Sequence, residues 1–290
     1  MKIRSIFMRF FAAVTLLMLT ASCGKFEKPT IMKLETGAMQ TTEINIPYSA
    51  ASSDMKMDLE FMAGELKISP GAVDSLVSGT ATFNAEALKP VVIESEGLYT
   101  LRQGDQEYEG FPLFPKEVTN FWDLKLANIP LHLNIKAGAY TGDIDLGGLS
   151  VKELYINEIG SDIELDFSKP NPVAMTSFTY MTGGSTMVLK GLANANFSQM
   201  DFDSGAGDYT LSFDGDLKRD AKVLIETGMS TLTIRVPRNT NAVVVLDAGM
   251  TSVNNEGWAE NENVYSLSGN GPTITIKVEM GLGTLNLVAE

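Results

Sequence analysis

The stretch Met200-Asp201-Phe202-Asp203-Ser204-Gly205-Ala206-Gly207-Asp208-Tyr209-Thr210-Leu211 decides the fold. Met200 and Phe202 before Gly205, and Tyr209 and Leu211 after it, fall at every second position. Alternation of that period sends one set of side chains to a buried face and the other to solvent, which is a half-buried strand. The same phrase recurs. Phe178 and Tyr180 lead into Gly183, with Met187 and Leu189 beyond; Val223 and Ile225 lead into Gly228, with Leu232 and Ile234; Ile274 and Ile276 lead toward Gly281, with Leu285 and Leu287.

The glycines set the period. Gly138, Gly160, Gly183, Gly205, Gly228, Gly249 and Gly281 are separated by 22, 23, 22, 23, 21 and 32 residues. The unit after Gly160 runs one residue short, with its apolar pair at Ile163 and Leu165. A lone alternating strand cannot bury its apolar face, whereas stacked copies share one core. Glycine at each corner allows backbone angles or a close approach that a side chain would obstruct. The expected fold class is therefore all-β, a β-solenoid of stacked strand repeats of about 22 residues over 127–290, preceded by an N-terminal β subdomain. An antiparallel sandwich also supplies many short strands, but nothing in it holds glycine spacing constant. At about 4.8 Å between strands, about seven rungs give a body roughly 30–35 Å long. The last run, Thr284 to Val288, reads as an uncapped final rung.

Upstream, Met57 to Ile68 repeats the strand, glycine, strand order around Gly64, but the interval to Gly138 breaks the period. The organisation expected is an N-terminal β subdomain over 41–105, a connection over 106–126 containing Gly110-Phe111-Pro112-Leu113-Phe114-Pro115, and the repeat domain over 127–290. Residues 1–22 read as a signal peptide: Lys2, Arg4 and Arg9 precede the apolar run Phe10 to Leu19, which is too short for a membrane span. Residues 23–40 read as a tether.

Cys23, the sole cysteine, follows Thr20-Ala21-Ser22. This junction resembles the lipobox of bacterial lipoproteins, although Thr20 stands where that motif usually carries Leu. The resemblance implies cleavage before Cys23, acylation of its thiol, and attachment to the bacterial outer membrane, with the periplasmic or surface face left open. The repeats resemble the bacterial toast-rack family of unknown function, on the strength of Ala63-Gly64-Glu65-Leu66-Lys67-Ile68-Ser69-Pro70-Gly71-Ala72, Gly79 to Asn84, Ile129-Pro130-Leu131, Gly147-Gly148-Leu149, Gly191 to Phe197, Gly205-Ala206-Gly207 and Ile234-Arg235-Val236-Pro237. The family implies stacked β architecture and an adhesin-like envelope role, and supplies no catalytic residue to carry over.

Composition narrows the chemistry. The chain of 290 residues holds 22 Lys and Arg against 36 Asp and Glu, with one His and one Cys. A structural zinc site needs about four Cys or His ligands, and paired disulfides need pairs of cysteines. Binding nucleic acid needs clustered basic residues, so no nucleic-acid partner is expected. Loss of the three basic residues of the signal takes the net charge from -14 to -17, and such a body stands off an anionic surface on its tether.

His132 alternates with Leu131 and Leu133 and is expected to face solvent, and no Gly-x-Ser-x-Gly elbow accompanies it. Asp201, Asp203, Asp208, Asp214 and Asp216 are a grouping that calcium favours, but their alternation with apolar residues reads more simply as a solvated face. Met229, Met250 and Met280, beside corner glycines, read as core filler rather than thioether ligands. The long interval between Gly249 and Gly281 suggests an inserted loop around Asn254 to Asn263, with Trp258 either a candidate contact or folded back onto the rung. Phe111, Phe114 and Trp122 in the earlier connection are a competing candidate surface, or simply cover the first rung's open edge.

The reading is a non-enzymatic, lipid-anchored β-solenoid of the envelope with an unidentified protein or glycan partner, no cofactor, no metal and no catalytic residue. A carbohydrate-active β-helix enzyme and a regulator of envelope-stress signalling are the alternatives.

Overall fold

The computed structural model describes residues 34–48, 54–104 and 117–290. Cys23, Phe111 and Phe114 lie outside them. The strands form one mixed sheet whose spine is parallel: β2 (Met55–Pro70), β7 (Leu131–Asp145), β8 (Val151–Asp166), β9 (Ser177–Lys190), β10 (Gln199–Ser212), β11 (Ala221–Val236), β15 (Thr273–Ala289) and β12 (Asn241–Glu256), in that spatial order. The fold is thus all-β and solenoid-like, as the glycine period predicts. Each turn is one continuous strand of 14 to 17 residues that carries the corner inside it, where the sequence suggested two strands per unit.

Alternation builds the core. On the leg before the corner, Ile135, Ile156, Tyr180, Phe202, Ile225 and Val278 occupy one register column, and all are buried. On the leg after it, Ile144, Leu165, Leu189, Leu211, Ile234 and Leu287 form another. The connections close the third side with buried Leu149, Phe167, Leu192, Phe197 and Phe213. Their backbone groups are tied by side-chain amides: Asn194 Nδ2 donates to the Phe167 carbonyl at 2.9 Å and Asn171 Nδ2 to that of Val151 at 2.7 Å. Buried donors and acceptors outside the ladder need such partners.

The two ends are built differently. At the N-terminal end the legs of β2 are extended by separate strands. The first leg pairs with β5 (Leu98–Gln103), itself paired with β4 (Pro90–Ser95). The second leg pairs with β6 (Asn120–Leu126), followed by β3 (Val77–Phe83) and β1 (Gln40–Ile46). β6 therefore falls within 106–126, the stretch read as a connection, and β2 pairs along both legs with β7, so the sheet runs unbroken across residue 127. Trp122 on β6 packs edge-on against Phe61, ring centres 5.2 Å apart, and covers the first turn.

At the C-terminal end the stack order differs from the chain order. β15 lies between β11 and β12, so Thr284 to Val288 is flanked on both sides and is not the uncapped rung expected from sequence. β12 is the outermost full turn. Its first leg is covered by β14 (Val264–Leu267), which pairs with Ala242 to Val245, and β13 (Ala259–Asn261) adds to β14. The long glycine interval thus contains a two-strand hairpin, and the final strand returns to a slot left open between β11 and β12.

Candidate functional site: the outer corner of the last turns

The corner is defined by a column of close backbone approaches. The pairs Thr182↔Ser204 and Gly184↔Ala206 bracket Gly183 against Gly205, and the same bracketing sets Gly205 against Gly228, Gly228 against Gly281, and Gly281 against Gly249. A Cβ on Gly205 would lie 2.3 Å from the Gly183 carbonyl oxygen, and one on Gly228 2.7 Å from that of Gly205. The requirement is space, because neither residue has the left-handed φ that favours glycine. Gly160 lies one residue off the column: it faces Ala139, and Ile159 holds the corner position. That offset is the one-residue shortfall visible in the sequence.

Inside the corner, small polar side chains face one another across the bend. Glu158, 3% exposed, accepts hydrogen bonds at Oε1 from Ser161 Oγ at 2.5 Å and Ser185 Oγ at 2.9 Å. Thr182 and Ser185 hydroxyls meet at 2.6 Å, and Thr227 donates to Ser230 at 3.0 Å. Tyr140 and Tyr180 are buried nearby, and burial, reinforced by the Glu158 carboxylate, pushes both phenols well above their ordinary range. Burial likewise pushes Tyr209 up to about 12. A Cβ on Gly207 would lie 2.0 Å from the Ser185 carbonyl oxygen and 2.7 Å from the Tyr209 hydroxyl. This interior is sealed and serves the bend.

Outside the corner, three register columns run side by side over the last turns. Asp203, Glu226, Glu279 and Asp247 form the first, each on a neighbouring strand. The glycines Gly205, Gly228, Gly281 and Gly249 form the second. Ala206, Met229, Leu282 and Met250 form the third. Met250 is 78% exposed, Met229 44% and Leu282 41%. Carboxylates and glycines line a shallow groove of about 430 Å³ with Met280 at its base. Lys277 contacts the Glu279 carboxylate, and that bond, with Asp247 and Glu226 adding attraction, holds its ammonium pKa above the usual value. The surface is therefore an anionic stripe beside an exposed apolar ridge.

Other sequence candidates land elsewhere. Of the three methionines expected in the core, Met280 is buried, whereas Met229 and Met250 lie on the ridge; two consecutive residues point outward at the bend, a break in alternation that strand periodicity does not show. Trp258 is 6% exposed and joins the core cluster, so the indole expected as a contact is withdrawn from the surface. The Asn255 amide holds it there, accepting from the Trp258 N–H at 3.1 Å and donating to its carbonyl at 3.1 Å. His132 is half-buried, with Nδ1 2.9 Å from Glu153 Oε2, and Thr176 Oγ1 donates to Glu153 Oε1 at 3.2 Å. The carboxylate, not the imidazole, stands in the middle of that chain, which is the wrong order for a nucleophile–base–carboxylate relay. The five aspartates separate: Asp214 accepts from the Gly191 N–H at 3.0 Å, Asp216 pairs with Lys218, and Asp203 joins the carboxylate column. Among the described residues no group of three or more His, Cys, Asp or Glu is arranged to hold a metal ion.

Fold and corner together define a stacked-strand, solenoid-like protein with its chemically distinctive surface at one end of the stack. Residues 35–176 match the family described as the N-terminal domain of toast_rack, DUF2154, in line with the resemblance read from the sequence. Similar solved structures include a proposed cell adhesion protein from Clostridium sporogenes, 20% identical with a TM-score of 0.48, covering 87% of this chain and 100% of that one. A proposed adhesin from Bacteroides fragilis is 12% identical with a TM-score of 0.37, covering 87% and 97%. A proposed lipid binding protein from Parabacteroides distasonis is 12% identical with a TM-score of 0.36, again covering 87% and 97%. No curated protein matches the chain.

Proposed function

We propose that this chain is a non-enzymatic contact body of the bacterial cell envelope, tethered to the outer membrane through acylated Cys23, that engages a partner through the outer corner of its last turns. The observation that carries the reading is the ridge Ala206, Met229, Leu282 and Met250 beside the carboxylates Asp203, Glu226, Glu279 and Asp247. Contiguous exposed apolar residues with a polar rim mark interaction surfaces. The chemistry favours a protein over a glycan, because the exposed large apolar residues described include one aromatic, Tyr155, and it lies away from the ridge. A matching partner presents Lys or Arg beside apolar side chains, so that charge sets orientation and the ridge supplies buried area. The sequence up to Cys23 supports the anchor, and the acidic body supports standing off the bilayer.

The test has two parts. Labelled palmitate supplied to producing cells is expected on the wild type and lost with Cys23→Ala; label retained on the variant refutes the anchor. Cross-linking in intact envelopes is expected to give an adduct lost with Met229→Lys/Met250→Lys and kept with Val73→Lys, an exposed residue on the opposite end of the stack. Equal adducts from both variants refute the corner.

A further inference from the structure

One sheet edge of the molecule lies open inside a recess. Past Leu246, whose N–H bonds the Asn263 carbonyl, the second leg of β12 pairs with β15 on one side, and among the described residues no strand pairs on the other. The first leg carries β14 and β13 beyond β12, and the second carries none. The recess is therefore two strand spacings deep, about 9.6 Å. The ladder fixes which backbone groups face it. Residues with inward side chains point their N–H groups toward the C-terminal end of the stack: Leu131 donates to Ser150, Phe167 to Lys190, Phe213 to Arg235 and Leu246 to Asn263. On the second leg of β12 the inward residues are Thr251, Val253 and Asn255, the last two beside buried Leu285 and Leu287. The N–H and C=O of one residue share a side in an extended strand, so these three present both groups to the recess.

The other edges are blunted and this one is not. Proteins protect exposed edges with Pro, with charge or by keeping them short. β4 begins at Pro90, β1 carries Glu43 at its centre, and β13 is three residues long. From Met250 to Asn255, β12 has no Pro and no charged residue. The surroundings define what fits. Val253 packs partly buried against the core, so an apolar side chain belongs beside it. Asn254 Nδ2 donates to Asn286 Oδ1 at 2.8 Å and Asn286 Nδ2 to Thr233 Oγ1 at 3.1 Å, a ladder that one more Asn or Thr extends. The far end is acidic: Glu260 of β13 accepts from Asn255 Nδ2 at 3.2 Å, and Glu256 borders a groove of about 520 Å³ that has room for a long side chain.

We propose that this edge takes an extended segment of another protein as an added strand along Met250 to Glu256. The segment is apolar beside Thr251 and Val253, carries Thr or Asn beside Ser252 and Asn254, and is basic where it reaches Glu256 and Glu260. Main-chain bonds to Thr251, Val253 and Asn255 supply affinity, and the alternating side chains supply selectivity. The N-terminal end of a second copy does not match, because its legs differ by one strand, three beyond β2 against two, where the recess is two strands deep. The inference is independent of the corner ridge, which the edge adjoins at Met250.

The experiment uses the full chain in detergent and a fluorescent synthetic peptide, Lys-Lys-Asn-Val-Thr-Val, written from the residue opposite Glu256 to the one opposite Thr251. Anisotropy is expected to show saturable binding, and NMR to show slowed amide exchange at Thr251, Val253 and Asn255. Methylating the two valine nitrogens of the peptide, which face the edge, is expected to weaken binding at least about tenfold, and Val253→Pro to do the same. Val253→Pro removes an N–H that β15 does not use, so the stack is kept; the methylated peptide probes the same bonds on the unaltered chain. Met229→Lys, on the ridge, is expected to leave binding within about twofold. Equal binding of the methylated peptide, or no saturation below about 1 mM, overturns the proposal. Binding lost with Met229→Lys and kept with Val253→Pro places the contact on the ridge and overturns it equally.

Discussion

Gly205→Ala isolates what the corner column does. A methyl group there is built 2.3 Å from the Gly183 carbonyl oxygen and 3.4 Å from its carbonyl carbon. Real Cβ atoms stay beyond about 3 Å, so the two strands must separate by about 0.7 Å at a point where β10 is hydrogen-bonded on both sides. The obstacle is backbone and cannot rotate aside. Because Gly205 lacks a left-handed φ, the substitution would otherwise stabilise by about 0.4–1 kcal/mol through the unfolded chain. Overpacking of this kind costs about 1–3 kcal/mol, so the expected net loss is about 1 kcal/mol, a fall in melting temperature of about 2–4 °C for a chain of this size. Two comparisons separate cause from background. Gly97→Ala meets nothing within 4 Å but has φ +81°, so its cost is conformational, about 1–2 kcal/mol. Gly37→Ala has its nearest neighbour at 4.0 Å and no φ penalty, and is expected to be neutral or to stabilise by up to about 1 kcal/mol. Thermal denaturation followed by calorimetry gives all three. A Gly205→Ala protein that melts with the wild type, or above it, refutes the close-approach reasoning.

Further expectations concern the titrating groups. The raised phenols of Tyr140, Tyr180 and Tyr209 are neutral in the folded chain, whereas unfolded tyrosine ionises near pH 10, so their stabilisation is complete below about pH 10 and is lost as pH rises through the folded values, to about 12 for Tyr209. Absorbance at alkaline pH should show these three ionising only with unfolding, and free titration near 10 would contradict the buried corner. Glu158→Ala removes the acceptor shared by the Ser161 and Ser185 hydroxyls, which keep each other and Thr182 as partners, and should cost about 1 kcal/mol, readable by denaturant titration. The bond from His132 holds the Glu153 carboxyl below its usual range; His132→Ala should raise it, detectable by carboxyl NMR, while stability changes by about 1 kcal/mol or less because the Glu153 side of the pair is open to solvent.

Much of this architecture is legible before any coordinates. Alternation reports which side chains face the core, and an obstructing carbonyl at each bend selects glycine, so the column from Gly183 to Gly249 stands out in the sequence. The offset at Gly160 is legible as a shortfall, but not the reason, which is that Ile159 occupies the corner. Stacking order leaves no mark on alternation: β15 has the same pattern between β11 and β12 as it would at the end. The ridge is hidden for a related reason. Met229, Leu282 and Met250 immediately follow glycines, where the bend turns two successive residues outward, and a period of two assigns one of them inward. Trp258 stays open between contact and core in the sequence, because polar neighbours mark a loop without showing that the loop folds across the core's end.

Amide hydrogen exchange with mass analysis tests the stack most directly. The account predicts that peptides from Thr284 to Val288 are protected as strongly as Tyr209 to Ser212, since both are paired on two sides, while Met250 to Glu256 exchanges much faster under conditions of low salt and dilution. Fast exchange over Thr284 to Val288 with slow exchange over Met250 to Glu256 would contradict it.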